Sequence, residues 1–165
     1  MQDYIIQRVT KDNYHMFDDM VYWRINGIER TDKEKLKSKQ GDYSSKIAEL
    51  MHPSFYVYAA QVGQRFIGWI TILYTPKLGP WEKGVIYIDE LWTSPDFRRK
   101  GIAHALMKKA FECMKEKGAV EIRLYTNDDN IAAQELYKKC GLKITGKAVY
   151  MQSGENYLYF NQFNT

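Results

Sequence analysis

Cysteine, histidine and long apolar runs are all scarce in this chain, and each shortage removes a class of protein. Two cysteines, Cys113 and Cys140, occur in 165 residues. That is too few for the disulfide framework of a small secreted domain. With three histidines in all, the cysteines form no metal-type cluster, so no metal is expected. Free thiols on apolar helix positions point to a reducing compartment, and the expected localisation is cytoplasmic. No apolar run approaches the roughly 20 residues of a membrane span. The opening MQDYIIQRVTKD lacks the apolar region of an export signal, so no membrane association is expected. Four prolines and 11 glycines are scattered singly, without linker or repeat, and residues 1–165 read as a single domain.

A dense stripe of one charge is also missing. The net charge is +4, and cations interleave with acids instead of forming the basic band of a nucleic-acid binder. No nucleic-acid partner is expected. The exception is Arg98-Arg99-Lys100, which points to a local anion site.

Periodicity supplies the elements. IIQRV at 5–9 reads as a strand, and residues 12–26 carry apolar positions at helical spacing. The stretch 31–51 reads as a polar helical region interrupted near Gly41, with a Thr31/Glu34 capping box. Residues 54–62 and 65–75 form a hairpin about Gly63-Gln64, and 83–94 is a third long strand. An apolar stripe from Ile102 to Met114 predicts an amphipathic helix closed by Gly118. A strand at 120–126 follows, then a helix capped by Asn130 and closed by Gly141. Residues 142–152 and 156–163 read as a final hairpin across Ser153-Gly154. The predicted fold is α/β (α+β): a mixed, mostly antiparallel sheet of about seven strands flanked by about four helices.

The stretch SPDFRRKGIAHALMKKA at 94–110 puts three cations and a glycine where a helix begins. A helix start exposes unpaired N–H groups and the positive end of the dipole, and glycine admits a ligand close to the backbone. Together these make an anion site, most naturally for phosphates. Neither GxxxxGK[ST] nor GxGxxG occurs. What is present is Arg98-x-x-Gly101-x-Ala103. A second segment reads Asn130-x-x-Ala133-x-x-Leu136-Tyr137, followed by Cys140-Gly141-Leu142. The pair resembles the signatures of the GNAT superfamily, the acetyl-CoA-dependent N-acetyltransferases, departing from them at Ala103, where Gly is commoner, and Leu142, where Phe is commoner.

The resemblance implies a function and a set of roles. Acetyl would pass directly from acetyl-CoA to a primary amine of a small molecule or peptide. Leu91, Trp92 and Thr93 would pair with the pantetheine arm, and a backbone N–H near Leu91 or Trp92 would polarise the thioester carbonyl. The amides of Arg99, Lys100, Gly101, Ile102, Ala103 and His104 would hold the diphosphate, with charge from Arg98, Arg99 and Lys100. Asn130, Ala133 and Tyr137 form the second cofactor segment, and Lys138 or Lys139 would reach the adenosine phosphate. Tyr137 is the implied acid for the leaving thiolate. An alkylamine has a pKa near 10.4 and must lose a proton before it attacks. Asp89 and Glu90 are the candidate bases, and strand alternation predicts that they face opposite ways.

The acceptor site is expected between the N-terminal helices and the loops at 25–32 and 74–84. Its candidate liners are Tyr22, Trp23, Glu29, Tyr74 and Trp81, with Glu29 favouring a cationic amine. A homodimer is an open expectation, since many members dimerise and an aromatic final hairpin would offer an edge to a second copy. The competing reading is a non-catalytic acyl-CoA-binding module or sensor.

Overall fold

Strand-forming segments rich in Ile, Val, Tyr and Trp pair into one five-stranded sheet, seen in a computed structural model that describes residues 3–78, 83–149 and 151. The strands are β1 (Ile5–Arg8), β2 (Phe55–Val62), β3 (Arg65–Thr75), β4 (Val85–Thr93) and β5 (Glu121–Leu124). The helices are α1 (Tyr14–Asn26), α2 (Asp32–Lys39), α3 (Ser44–Leu50), α4 (Ile102–Lys117) and α5 (Ile131–Lys139), with a 3-10 turn at Pro95–Phe97. The strands lie in the order β1-β2-β3-β4-β5. The first three junctions are antiparallel and the β4–β5 junction is parallel. A parallel pair needs a long crossover, which α4 provides.

The sheet buries both faces. On one, Ile70, Ile72, Ile86 and Ile88 meet Ile102, Leu106, Met107, Ala110 and Cys113 of α4. On the other, Val57, Ala59, Phe66 and Trp69 meet Tyr14 and Met20 of α1 and Leu50 of α3. Each large aliphatic side chain fully buried here contributes about 1.5–3 kcal/mol. The α4 stripe is the one anticipated from its spacing, and the helix stops at left-handed Gly118 (φ 61°). Thr31 and Glu34 form the full capping box at the start of α2.

The polar region at 31–51 is interrupted near Gly41 as expected and forms two helices, α2 and α3, because the chain turns at Gln40–Tyr43. There are therefore five α-helices among the described residues instead of about four. Among the described residues the sheet has five strands, where about seven were expected. Residues 142–149 carry no strand and are almost wholly exposed. The second half of the expected hairpin lies outside the described residues. No helix among the described residues is long and apolar enough to cross a membrane.

Candidate active site

β4 changes partners along its length. Val85 to Ile88 pair with Glu121 to Leu124 of β5, and the parallel ladder then stops. From Glu90 to Thr93 the strand pairs only with Thr71, Ile70, Trp69 and Gly68 of β3. Its opposite edge carries backbone polar groups with no strand beside them among the described residues, and such groups require partners.

A bulge marks the changeover. Ile72 pairs with Ile88 and Thr71 with Glu90, so Asp89 is the extra residue. The insertion reverses the side-chain phase. Strict alternation would send Glu90 to the α4 face with Ile86 and Ile88. Instead Glu90 meets Arg24 and Trp69 on the α1 face, while Leu91 packs on the α4 side and Trp92 on the α1 side.

The two acids at the changeover differ in how they are held. Arg24 Nη1 donates to Glu90 Oε1 at 2.6 Å and Trp69 Nε1 to Oε2 at 3.3 Å. The Arg24 guanidinium lies 5.1 Å over the Trp69 ring. Trp92 leans on Trp69 at 5.1 Å and receives Trp23 edge-on at 5.9 Å. Asp89 is exposed, and no hydrogen bond or ion pair among the described residues engages its carboxylate. Partial desolvation, with the Glu90 charge beside it, raises its pKa above the ordinary carboxylate value.

Beyond β4 the chain is tightly turned yet polar groups remain unsatisfied. Ser94 N–H donates to the Ile67 carbonyl at 2.9 Å, and Arg98 Nε to the Thr93 carbonyl at 3.2 Å. Buried Phe97 lies between Lys100 (4.7 Å) and Arg65 (5.4 Å). Arg99 (φ 61°) and Gly101 (φ 81°) both adopt left-handed backbone, which glycine takes readily and arginine does not. Gly101 offers α4 no side-chain cap, and the backbone bonding into the helix begins with Ala105 N–H to the Gly101 carbonyl. The amides of Ile102, Ala103 and His104 therefore have no acceptor within the helix. Arg98, Arg99, Lys100, Gly101 and His104 are all exposed. The Thr93 and Ser94 hydroxyls are buried without a hydrogen-bond partner among the described residues.

α5 follows β5 across this gap. The Asn130 side chain accepts from Ala133 N–H at 3.2 Å, as its capping position predicted. Tyr137 packs on the same α4-side core as Leu91. Burial, with Cys140 adding to it, raises its phenol pKa. Lys138 pairs with Glu135 at 2.9 Å, whereas exposed Lys139 has no ion pair among the described residues.

Two of the expected acceptor liners, Trp23 and Glu29, line one small cavity, and Tyr22 and Tyr74 do not line it. Trp23 is buried. The Tyr22 ring is covered by the Arg30 guanidinium at 4.6 Å. Glu29 is held by Lys35 at 3.0 Å and Arg65 at 2.5 Å, so its charge is already neutralised. Tyr74 packs on the α4 face, with Lys117 over its ring, because its β3 position falls in phase with Ile70 and Ile72. Trp81 lies outside the described residues. A cavity of about 20 Å³ lined by Asp19, Trp23, Glu29, Lys35 and Arg65 has room for about one water. The residue missed by the sequence reading is Arg24; its partner Glu90 is 66 positions away, and no local pattern signals such a pair.

Comparison with known proteins agrees with this architecture. A family model described as Acetyltransferase (GNAT) family matches residues 20–142. An uncharacterized N-acetyltransferase of Methanocaldococcus jannaschii is 27% identical over 143 residues, covering 87% of this chain and 62% of that protein. This chain thus spans under two thirds of that relative's length. The thialysine N-epsilon-acetyltransferase of Caenorhabditis elegans is 26% identical over 138 residues, covering 83% of this chain and 81% of the other. Among solved structures, AAC(6')-Iy in complex with the bisubstrate analog CoA-S-monomethyl-acetylneamine superposes with a TM-score of 0.70 at 16% identity, covering 92% of this chain and 98% of that one.

Proposed function

Since this chain belongs to the acetyltransferase (GNAT) family, we propose that it is an N-acetyltransferase working as a single domain, moving acetyl from acetyl-CoA to a primary amine. The observation that carries this reading is the half-strand Glu90–Thr93, unpaired on one edge and leading into the uncapped start of α4. A pantetheine arm has amides that match an unpaired strand edge, and a diphosphate matches free helix-start N–H groups and cations. The orphaned Thr93 and Ser94 hydroxyls add unused polar capacity at the junction of the two. The relative with thialysine in its name and the neighbour bound to a CoA conjugate support an amine acceptor and coenzyme A as the acyl carrier.

In this reading the edge of Leu91, Trp92 and Thr93 holds the arm and presents an N–H to the thioester oxygen. The amides from Arg99 to His104 and the charges of Arg98, Arg99 and Lys100 hold the phosphates, with Lys139 as the distal cation. Asp89 takes the amine proton, directly or through water. Its raised pKa makes it a stronger base than an ordinary carboxylate. Glu90, already engaged by Arg24 and Trp69, is the weaker candidate. Tyr137 stays protonated well past neutrality and supplies a proton to the departing thiolate.

The test is release of free CoA thiol from acetyl-CoA with a panel of amino acids, polyamines, aminoglycosides and short peptides. Acceptor-dependent release is the expected result. Acetyl-CoA binding without release from any acceptor would overturn the enzyme reading in favour of a binding module.

A further inference from the structure

We infer that the acceptor carries a carboxylate as well as the reacting amine, and that Arg24 selects it; this rests on the acetyltransferase reading above. The starting point is a count of charges on the α1 side. Asp18 and Asp19 are each paired with Arg30 at 2.7 Å. Glu29 is paired with Lys35 and Arg65, and Glu90 with Arg24. Of Asp18, Asp19, Glu29, Glu90 and Asp89, only Asp89 has a carboxylate that no described residue engages, and the proposed reaction uses it for the proton. A polycationic acceptor would find no spare acid here.

Arg24 shows the opposite balance. A guanidinium carries five N–H donors in a planar fork. Among the described residues one hydrogen bond uses them, Nη1 to Glu90 at 2.6 Å. The side chain is 32% exposed, so the remaining donors are open to solvent. The Glu90 bond and the Trp69 ring face fix the position of the group, at the residue beside Asp89. A fixed guanidinium with unused donors matches a carboxylate, which it binds through two parallel bonds. An amine bearing a carboxylate would thus be oriented by Arg24 while its nitrogen meets Asp89.

The experiment compares acceptors that differ only in that group: phenylalanine with phenethylamine, and lysine with cadaverine. CoA-thiol release gives kcat and KM for each, and calorimetry of the same compounds on the CoA-saturated protein gives affinity without turnover. The expected result is a carboxylate preference of about 10- to 100-fold, the range of a charge-assisted pair, expressed in KM and Kd. Arg24→Gln should abolish the preference, read as the ratio between the two compounds of each pair whatever the variant's overall rate, and Arg24→Lys should restore part of it. Equal or better use of the decarboxylated partner by the unaltered protein would overturn the inference and leave the enzyme reading intact. So would an Arg24→Gln variant that weakens both partners alike. Absence of turnover with all four compounds tests the enzyme reading instead, and calorimetry still decides the carboxylate preference.

Discussion

The two sides of the sheet treat polar groups in opposite ways. On the α1–α3 side the half-buried polar groups are answered within the chain: Arg30 by Asp18 and Asp19, Glu29 by Lys35 and Arg65, and the Tyr43 hydroxyl by Ser38 and Asp18. Where β4 leaves β5, the balance reverses. Among the described residues a strand edge stands unpaired, two buried hydroxyls have no partner and helix-start amides have no acceptor within the helix, and Arg99 holds a left-handed backbone. Unsatisfied polar groups cost stability. Their concentration in one place is the contrast on which the proposed coenzyme site rests.

Substitutions can break that contrast. The largest effect is expected for Asp89→Asn, with turnover falling about 10²- to 10⁴-fold, the range for loss of a general base. The same change should raise the melting midpoint at neutral pH. The folded pKa of Asp89 lies above its unfolded value, so its ionised form opposes folding above that pKa. The gain should vanish below the ordinary aspartate range, and calorimetric melts across pH check it. Gly101→Asp should weaken acetyl-CoA binding on the order of 100-fold, by replacing a favourable contact with like charge at the uncapped α4 start. A Cβ there has open space, with only the Tyr4 hydroxyl oxygen near, at 3.8 Å. The penalty is therefore charge and left-handed strain instead of a clash, and titration calorimetry reads it.

On the saturated side, Arg30→Ala should cost about 2–4 kcal/mol of stability by removing the cation shared by two half-buried carboxylates, which leaves Asp19 without its ion pair and Asp18 with the more distant Lys46. Acetyl-CoA affinity should be unchanged. Denaturant melts beside the same titration distinguish the two. The smallest effect concerns pH. Turnover should fail on the acid side as Asp89 takes up a proton, above the usual carboxylate range. Glu90→Gln removes the neighbouring charge that helps raise that pKa, so the acid limb of kcat/KM should move to lower pH.

Local signals were readable in the sequence and long-range ones were not. The Gly63-Gln64 hairpin, the α4 stripe, the Thr31 box and the Asn130 cap each depend on residues within a few positions, and each formed as predicted. The motif around Gly101 pointed to the loop whose amides are free. The Asp89 bulge was not visible, because an extra residue in β4 is defined only by its pairing with β3. That one insertion moved Glu90 to the α1 face and made it the partner of a helix 66 residues earlier. The surroundings of the expected acceptor liners were hidden for the same reason: aromatic and acidic residue types are visible in a sequence, whereas their neutralising partners, such as Arg65 for Glu29, are not.

Gly68 carries a quieter consequence. A methyl group at this position would come within 2.8 Å of the Trp92 carbonyl oxygen. The missing side chain lets β3 lie close against the half-strand that β5 has abandoned. A ribbon supported from one side alone would otherwise bend toward whatever touched it, and a groove that deforms to its contents discriminates poorly. The absence of one carbon atom thus acts as a stiffener, keeping the open edge straight enough to serve as a template.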